Sequence, residues 1–138
     1  MIRKCERYDL TSFKEALPEL ENSTVEIYID SHSTKNKKDV INVLSGAGSK
    51  RLRRIFAVIL KNEYLDNIYK REDKHITAIK LKSGIAKNQN FRIYCKEFYK
   101  NGKKVVLITP HLKKVQKNRD DEKILSIIDS IKKYDYEF

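Results

Sequence analysis

The sequence predicts an α+β fold: an antiparallel sheet of about four strands with a mixed edge, two helices on its N-terminal side and one helix at the end. Three observations carry this. Residues 25–30 alternate apolar and polar, as a half-buried strand does. Leu52, Ile55, Phe56, Ile59 and Leu60 fall at i, i+3, i+4, i+7 and i+8, the stripe of an amphipathic helix. Asn101-Gly102 lies between two apolar runs, and both residues tolerate the positive φ that a tight hairpin demands.

Taken in order, residues 1–24 read as an N-terminal arm or short helix, and residues 25–138 as the main domain. Within the arm, Ser12 and Glu15 are spaced as a capping box, Leu10, Phe13, Leu17 and Leu20 have helical spacing, and Pro18 keeps the helix short. Val25, Ile27 and Ile29 form the buried side of the first strand, which the polar stretch 31–36 ends. A helix is expected over residues 37–45, with Val40, Ile41 and Leu44 on one face; Gly46-Ala47-Gly48 breaks it, and a second helix follows over residues 49–65. That second helix opens with Lys50, Arg51, Arg53 and Arg54. Cations there oppose the helix dipole, at a cost of a few tenths of a kcal/mol each, which suggests a task other than stability.

Strands are expected over residues 76–81 and 91–98. Residues 105–109 are apolar and mostly β-branched, suited to a central strand buried on both faces, and Pro110 is expected to end it. The last helix opens on Asp120, Asp121 and Glu122, acids that suit a helix N-terminus, and runs through Ile124, Leu125, Ile127, Ile128 and Ile131 to Lys132-Lys133. No internal repeat is present.

Composition narrows the function classes. The chain of 138 residues carries 30 Lys and Arg against 19 Asp and Glu, a net charge of +11, with four Gly and two Pro. That excludes a collagen-like, low-complexity or wholly disordered chain. No apolar run approaches the 18 or more residues that span a bilayer, and the N-terminus lacks the apolar stretch of a secretory signal, so no membrane role is expected. Cys5 and Cys95 form no metal-ligand or disulfide pattern, which points to a reducing, cytoplasmic setting and to no metal or other cofactor. Phosphate-loop, dinucleotide and zinc-protease motifs do not occur.

The positive charge is concentrated. Residues 80–117 hold eleven Lys or Arg and one acid, Glu97, so 11 − 1 = +10 of the net charge lies in this stretch. Single-sign charge of this density attracts polyanions, and a phosphate backbone is the natural partner. Strand alternation places Lys80 and Lys82 opposite Ile79 and Leu81; it places Arg92, Tyr94 and Lys96 opposite Phe91, Ile93 and Cys95. If the apolar sets face the core, the cations and Tyr94 gather on an exposed platform able to hold phosphates and stack a base. His111, Lys113, Lys114 and Lys117 follow as a basic loop at one end of it. With Arg51, Arg53 and Arg54 from the second helix, these make the expected RNA-contacting set.

The run Ile79-Lys80-Leu81-Lys82-Ser83-Gly84 followed by Asn90-Phe91-Arg92-Ile93-Tyr94 resembles the RelE-type toxin pattern, in which an alternating-lysine strand leads into an aromatic-Arg-aliphatic-Tyr strand. Residues 107–117, a buried strand followed by a Lys-Lys-x-x-Lys loop, are similar to the end of the phage-derived HigB-like branch of the RelE/ParE toxin superfamily. The order of elements over residues 25–133 agrees. The resemblance implies a RelE-like fold and the toxin of a type II toxin–antitoxin system: a ribosome-dependent endoribonuclease that cuts mRNA in the decoding site and is silenced by a cognate antitoxin protein. Ribosome, mRNA and antitoxin are thus the implied partners. Lys80 and Lys82 match the family's catalytic basic strand, and Arg92 its strand arginine. The loop at residues 85–89 is longer than the family's usual connection, and His111 with lysines stands where several members carry an Arg and a Tyr.

Cleavage by internal attack requires a base for the 2′-OH, a cation for the phosphorane and an acid for the leaving 5′-oxygen. Lys80 or Lys82 serves as base if neighbours depress its pKa. Arg92 suits the non-bridging oxygens. His111 is the natural acid or base. His32 and His75 read as structural or solvent-facing, Tyr134 and Tyr136 as tail packing, and Cys95 as an inert core thiol. Two other functions fit the same residues: a ParE-like topoisomerase inhibitor without nuclease activity, and a non-catalytic RNA- or ribosome-binding module.

Overall fold

The computed structural model describes residues 2–11, 17–82, 90–113 and 117–138, without the side chains of residues 82, 113 and 117–120. The elements are β1 (Ile2–Arg3), β2 (Cys5–Arg7), α1 (Glu19–Asn22), β3 (Glu26–Asp30), α2 (Thr34–Gly46), α3 (Ser49–Leu60), β4 (Tyr69–Asp73), β5 (Ile76–Lys82), β6 (Asn90–Tyr99), β7 (Lys103–Lys113), α4 (Lys117–Lys132) and β8 (Asp135–Tyr136). The class is α+β. Six strands pair in the order β2-β3-β7-β6-β5-β4, antiparallel throughout except for the parallel pair β3 and β7, and β1 pairs in parallel with β8 in a separate ribbon.

Local chemistry explains the boundaries. Ser33 caps α2 by accepting a hydrogen bond from the Asn36 backbone N–H, which starts that helix three residues before the expected start at residue 37. Gly48, at φ 82°, makes the turn from α2 into α3. Asn101 at φ 54° and Gly102 at φ 93° close the β6–β7 hairpin as the sequence requires.

Two cores lie on the two faces of the sheet. On one face α2 and α3 bury Val40, Leu44, Leu52, Ile55, Phe56 and Ile59 against Ile27, Ile79, Leu81, Ile93, Cys95, Val105 and Leu107. On the other, Ile128 and Ile131 of α4 and Tyr136 of β8 cover Ile76, Ala78, Tyr94, Val106 and Ile108. Asp30, fully buried at the end of β3, ties the chain's two extremities together: it accepts from Arg3 Nε at 2.8 Å, from Tyr136 Oη at 2.5 Å and from the His32 N–H at 2.9 Å.

Several expectations are corrected. Among the described residues the sheet has six strands rather than about four, because β2 and β4 extend its edges. Both are short and rich in charge, the composition of edge strands, and neither alternates in a way that marks a strand in the sequence. Ile2–Arg3 pair with β8 and Cys5–Arg7 with β3, and the short helix α1 follows at Glu19–Asn22; residues 12–15, with their capping-box spacing, lie outside the described residues. Helix α3 stops at Leu60, and Asn62 at φ 59° turns the chain away. Pro110 does not end β7: β3 pairs with β7 only as far as Leu107, so Pro110 lies where β7 has one neighbour, the setting in which a strand tolerates proline. The face expected to be an open platform is largely the second core, since the apolar stripe of α4 needs a partner and takes this one.

Candidate active site

Three residues expected to act together share one row across the sheet. Lys80 on β5 pairs with Arg92 on β6, and Arg92 pairs with His111 on β7. Directly opposed residues hold their Cβ atoms about 4.5–5.5 Å apart, so Arg92 is the immediate neighbour of both Lys80 and His111. All three leave the sheet on the α4 side: Ile79, Leu81, Phe91 and Ile93 point to the α2–α3 core, and the His111 ring centroid lies 6.5 Å from that of Tyr94. Lys80 and Arg92 are half-buried and His111 is 9% exposed.

A β-bulge makes this alignment possible. Tyr94 pairs with Thr109, yet Cys95 pairs with Leu107, so β7 carries one extra residue at this point. Below the bulge Val105 and Leu107 face the α2–α3 core; above it that side passes to Pro110 and Leu112, opposite Ile93 and Phe91. His111 is thereby turned onto the face of Arg92. Unbroken alternation would have sent it to the other side.

The row has its own electrostatics. Burial lowers the Lys80 pKa below the ordinary lysine value, and repulsion from Arg92 and Lys70 lowers it further, against the opposing pull of Glu72 and Asp66. Glu72, on β4, forms an ion pair with Arg92 at 3.6 Å, and its buried Oε1 accepts no hydrogen bond. Sequence reasoning missed Glu72. Its strand has no alternating pattern, and its approach to Arg92 depends on the register shift between Arg71 and Asp73. The cluster thus offers a lysine inclined to lose its proton, a guanidinium, an imidazole and one carboxylate.

The other expected residues divide. Lys82 pairs with Asn90 at the end of β5, and Lys113 pairs with the same Asn90 from β7, so both backbone positions flank the row. Lys117 is the first residue of α4, and Lys114 lies outside the described residues. Tyr94 is fully buried in the second core and has no face left for a base to stack on. Lys96 is committed to structure. Its ammonium donates to the carbonyls of Ile131 at 3.3 Å, Lys132 at 3.0 Å and Tyr134 at 2.8 Å, closing the C-terminus of α4. Arg51 donates to the carbonyls of Asn67 at 3.2 Å and Lys80 at 3.4 Å, anchoring α3 to the sheet. Arg53 and Arg54 are exposed on α3, across the sheet from the row.

The concentrated charge is likewise partly spoken for. Lys103 is buried against Glu97 at 2.9 Å, Lys104 pairs with Glu26 at 2.6 Å, and Lys100 pairs with Asp135 at 3.1 Å. Among the described residues no group of three or more His, Cys, Asp or Glu is arranged to hold a metal ion, and no helix is long and apolar enough to cross a membrane. The chain matches no protein-family model, no curated protein and no solved structure.

Proposed function

We propose that this protein is a ribosome-dependent mRNA endoribonuclease of the RelE-like kind, the toxin of a type II toxin–antitoxin pair. The observation that carries the reading is the Lys80–Arg92–His111 row. Internal phosphoester cleavage needs these three kinds of group within reach of one phosphate. Lys80, with its lowered pKa, takes the 2′-OH proton. The 2′-oxygen then forms a bond to phosphorus as the bond from phosphorus to the 5′-oxygen breaks. Arg92 holds the non-bridging oxygens while charge builds on them. His111 delivers a proton to the departing 5′-oxygen, leaving a 2′,3′-cyclic phosphate and a 5′-hydroxyl. Glu72 balances Arg92 until a phosphate displaces it.

The order of strand, two helices, antiparallel strands and closing helix supports the reading from the side of the fold. So does the fit of the basic strands to the RelE-type pattern. The ribosome would present the mRNA in an attack-ready shape and contribute part of the orientation effect, so free RNA should be a poor substrate. The cognate antitoxin would silence the protein by covering or displacing this surface.

The test is induction in cells with mapping of mRNA 5′ ends, for the natural sequence and for Arg92→Ala. The expected result is new 5′-hydroxyl ends on translated messages with the former and none with the latter, at equal folded yield. Growth arrest without new ends would overturn the nuclease and favour a ParE-like topoisomerase inhibitor. Ribosome binding without arrest or cleavage would favour a non-catalytic RNA-binding module.

A further inference from the structure

The bulge in β7 that turns His111 toward Arg92 is held by a residue from another element. Asn36, in the first turn of α2, donates its Nδ2–H to the Ile108 carbonyl and accepts at Oδ1 from the Thr109 hydroxyl at 3.2 Å. Those two residues are the ones at which the β6–β7 register slips. A bulge frees main-chain groups from the ladder, and a freed carbonyl at half-buried depth has to find a donor. β3 has stopped pairing with β7 by this height, so no strand can supply one. The Asn36 carboxamide does, and its own oxygen gains a donor, the Thr109 hydroxyl, in return.

The placement of Asn36 is fixed from its own side as well. Its backbone N–H is bonded to the Ser33 side chain at 3.3 Å, so the N-cap of α2 sets both the start of the helix and the position from which the amide reaches β7. Asn36, Ile108 and Thr109 also line a cavity of about 210 Å³ beneath α4, bounded by Arg3, Ser126 and Tyr134. The bridge therefore borders open space rather than being hemmed in by packed side chains.

We infer that Asn36 is a positioning residue: by bridging Ile108 and Thr109 it fixes the bulge, and the bulge fixes the side of the sheet on which His111 works. The inference rests on the proposed endoribonuclease reading for its consequence in turnover, though not for its geometry. Among the described residues Asn36 is hydrogen-bonded to Ser33, Ile108 and Thr109 and not to Lys80 or Arg92; its effect passes through the register of β7.

The experiment uses the full chain with Asn36→Ala, and with Thr109→Val as a variant that keeps the β-branched shape while removing the hydroxyl that orients the amide. The first readout needs no RNA: the nuclear Overhauser contact between the Tyr94 and His111 rings, expected in the unaltered protein from the 6.5 Å between their centroids. It should disappear in Asn36→Ala and weaken in Thr109→Val. The second is cleavage of ribosome-bound mRNA, in which kcat should fall at least about tenfold in Asn36→Ala with KM held within about twofold, as for a group misplaced rather than removed. A ring contact that survives in Asn36→Ala overturns the inference, as does a loss carried by KM alone. If the unaltered protein cuts nothing, the proposed function falls, while the ring contact still decides whether Asn36 sets the side on which His111 lies.

Discussion

The Arg92 guanidinium stands 3.6 Å from the Glu72 carboxylate, each side chain about one-sixth exposed, in a part of the sheet otherwise lined by Lys70, Lys80 and His111. A carboxylate paired to Arg92 competes with any phosphate that approaches it. Glu72→Gln should tighten RNA binding and steepen its salt dependence by about one charge, because Arg92 is freed to meet a phosphate. Fluorescence polarisation across a salt series measures this. An unchanged slope would remove Arg92 from the list of phosphate ligands.

With the proposed acid removed (His111→Ala), residual cleavage should rise with pH, since the proposed base acts without its proton. Burial, then repulsion from Arg92 and Lys70, hold Lys80 below the ordinary lysine value, so the midpoint of the rise should lie below about 10.4. Lys70→Gln takes away a like charge and should move the midpoint upward. Glu72→Gln takes away an opposite charge and should move it downward. Single-turnover rates on programmed ribosomes over a pH series read both shifts, and shifts in the reverse directions would exclude Lys80 as the base.

Lys103 and Glu97 form a buried ion pair whose carboxylate also accepts from Tyr69 Oη at 2.7 Å and Tyr64 Oη at 2.8 Å. Burial by itself would lower the Lys103 pKa, but hydrogen bonds to Glu97 and Tyr64 hold it above the ordinary value. A raised lysine pKa stabilises the fold fully below the unfolded value, and the contribution fades as pH climbs through the higher folded value. The part of the stability that urea melts assign to Lys103 should accordingly decline only on the strongly alkaline side. Lys103→Met, which leaves the carboxylate buried and without its cation, should cost about 3–5 kcal/mol at neutral pH.

Lys96→Met should act on stability and leave RNA binding alone. The ammonium's three carbonyl contacts at the end of α4 are worth about 1–2 kcal/mol together, given partial exposure and solvent competition. Thermal unfolding and RNA affinity, measured side by side, test this. A loss of affinity without a fall in Tm would return Lys96 to the interface that its place in the basic stretch suggested.

Much of this architecture could be read from the residues. The amphipathic stripe of α3, the alternation in β3 and the hairpin at Asn101-Gly102 are all set by neighbours in sequence, and the structure has them where the patterns place them. Lys80 and Arg92 came out on one face for the same reason, since strand alternation is local. What alternation could not supply was the partner for the other face. Ile128, Ile131 and Tyr136 sit far along the chain, and only their burial on Tyr94 and Val106 turns a supposed platform into a second core. Lys96 shows the same limit: its charge suggested an interface, yet its partners are three carbonyls more than 30 positions away. Glu72 and the bulge at Ile108 were hidden because each depends on a slip in register, and a slip follows from packing between strands rather than from composition within one.

The Asp30 hub has a bearing on how the molecule is made. Tyr136 meets Asp30 across 106 positions of sequence, and Arg3 meets it across 27, so the final stitch joins one segment synthesised early to another synthesised late. Closing the longer span costs about 1 kcal/mol more chain entropy than closing the shorter one, so the Tyr136 contact should form after the sheet that receives it. While the chain is still emerging, the α2–α3 side can assemble and the α4 side cannot. The lysine, arginine and histidine of the row thus reach their finished surroundings only after translation has passed Tyr136, which delays the maturation of a chain whose proposed target is the machine producing it.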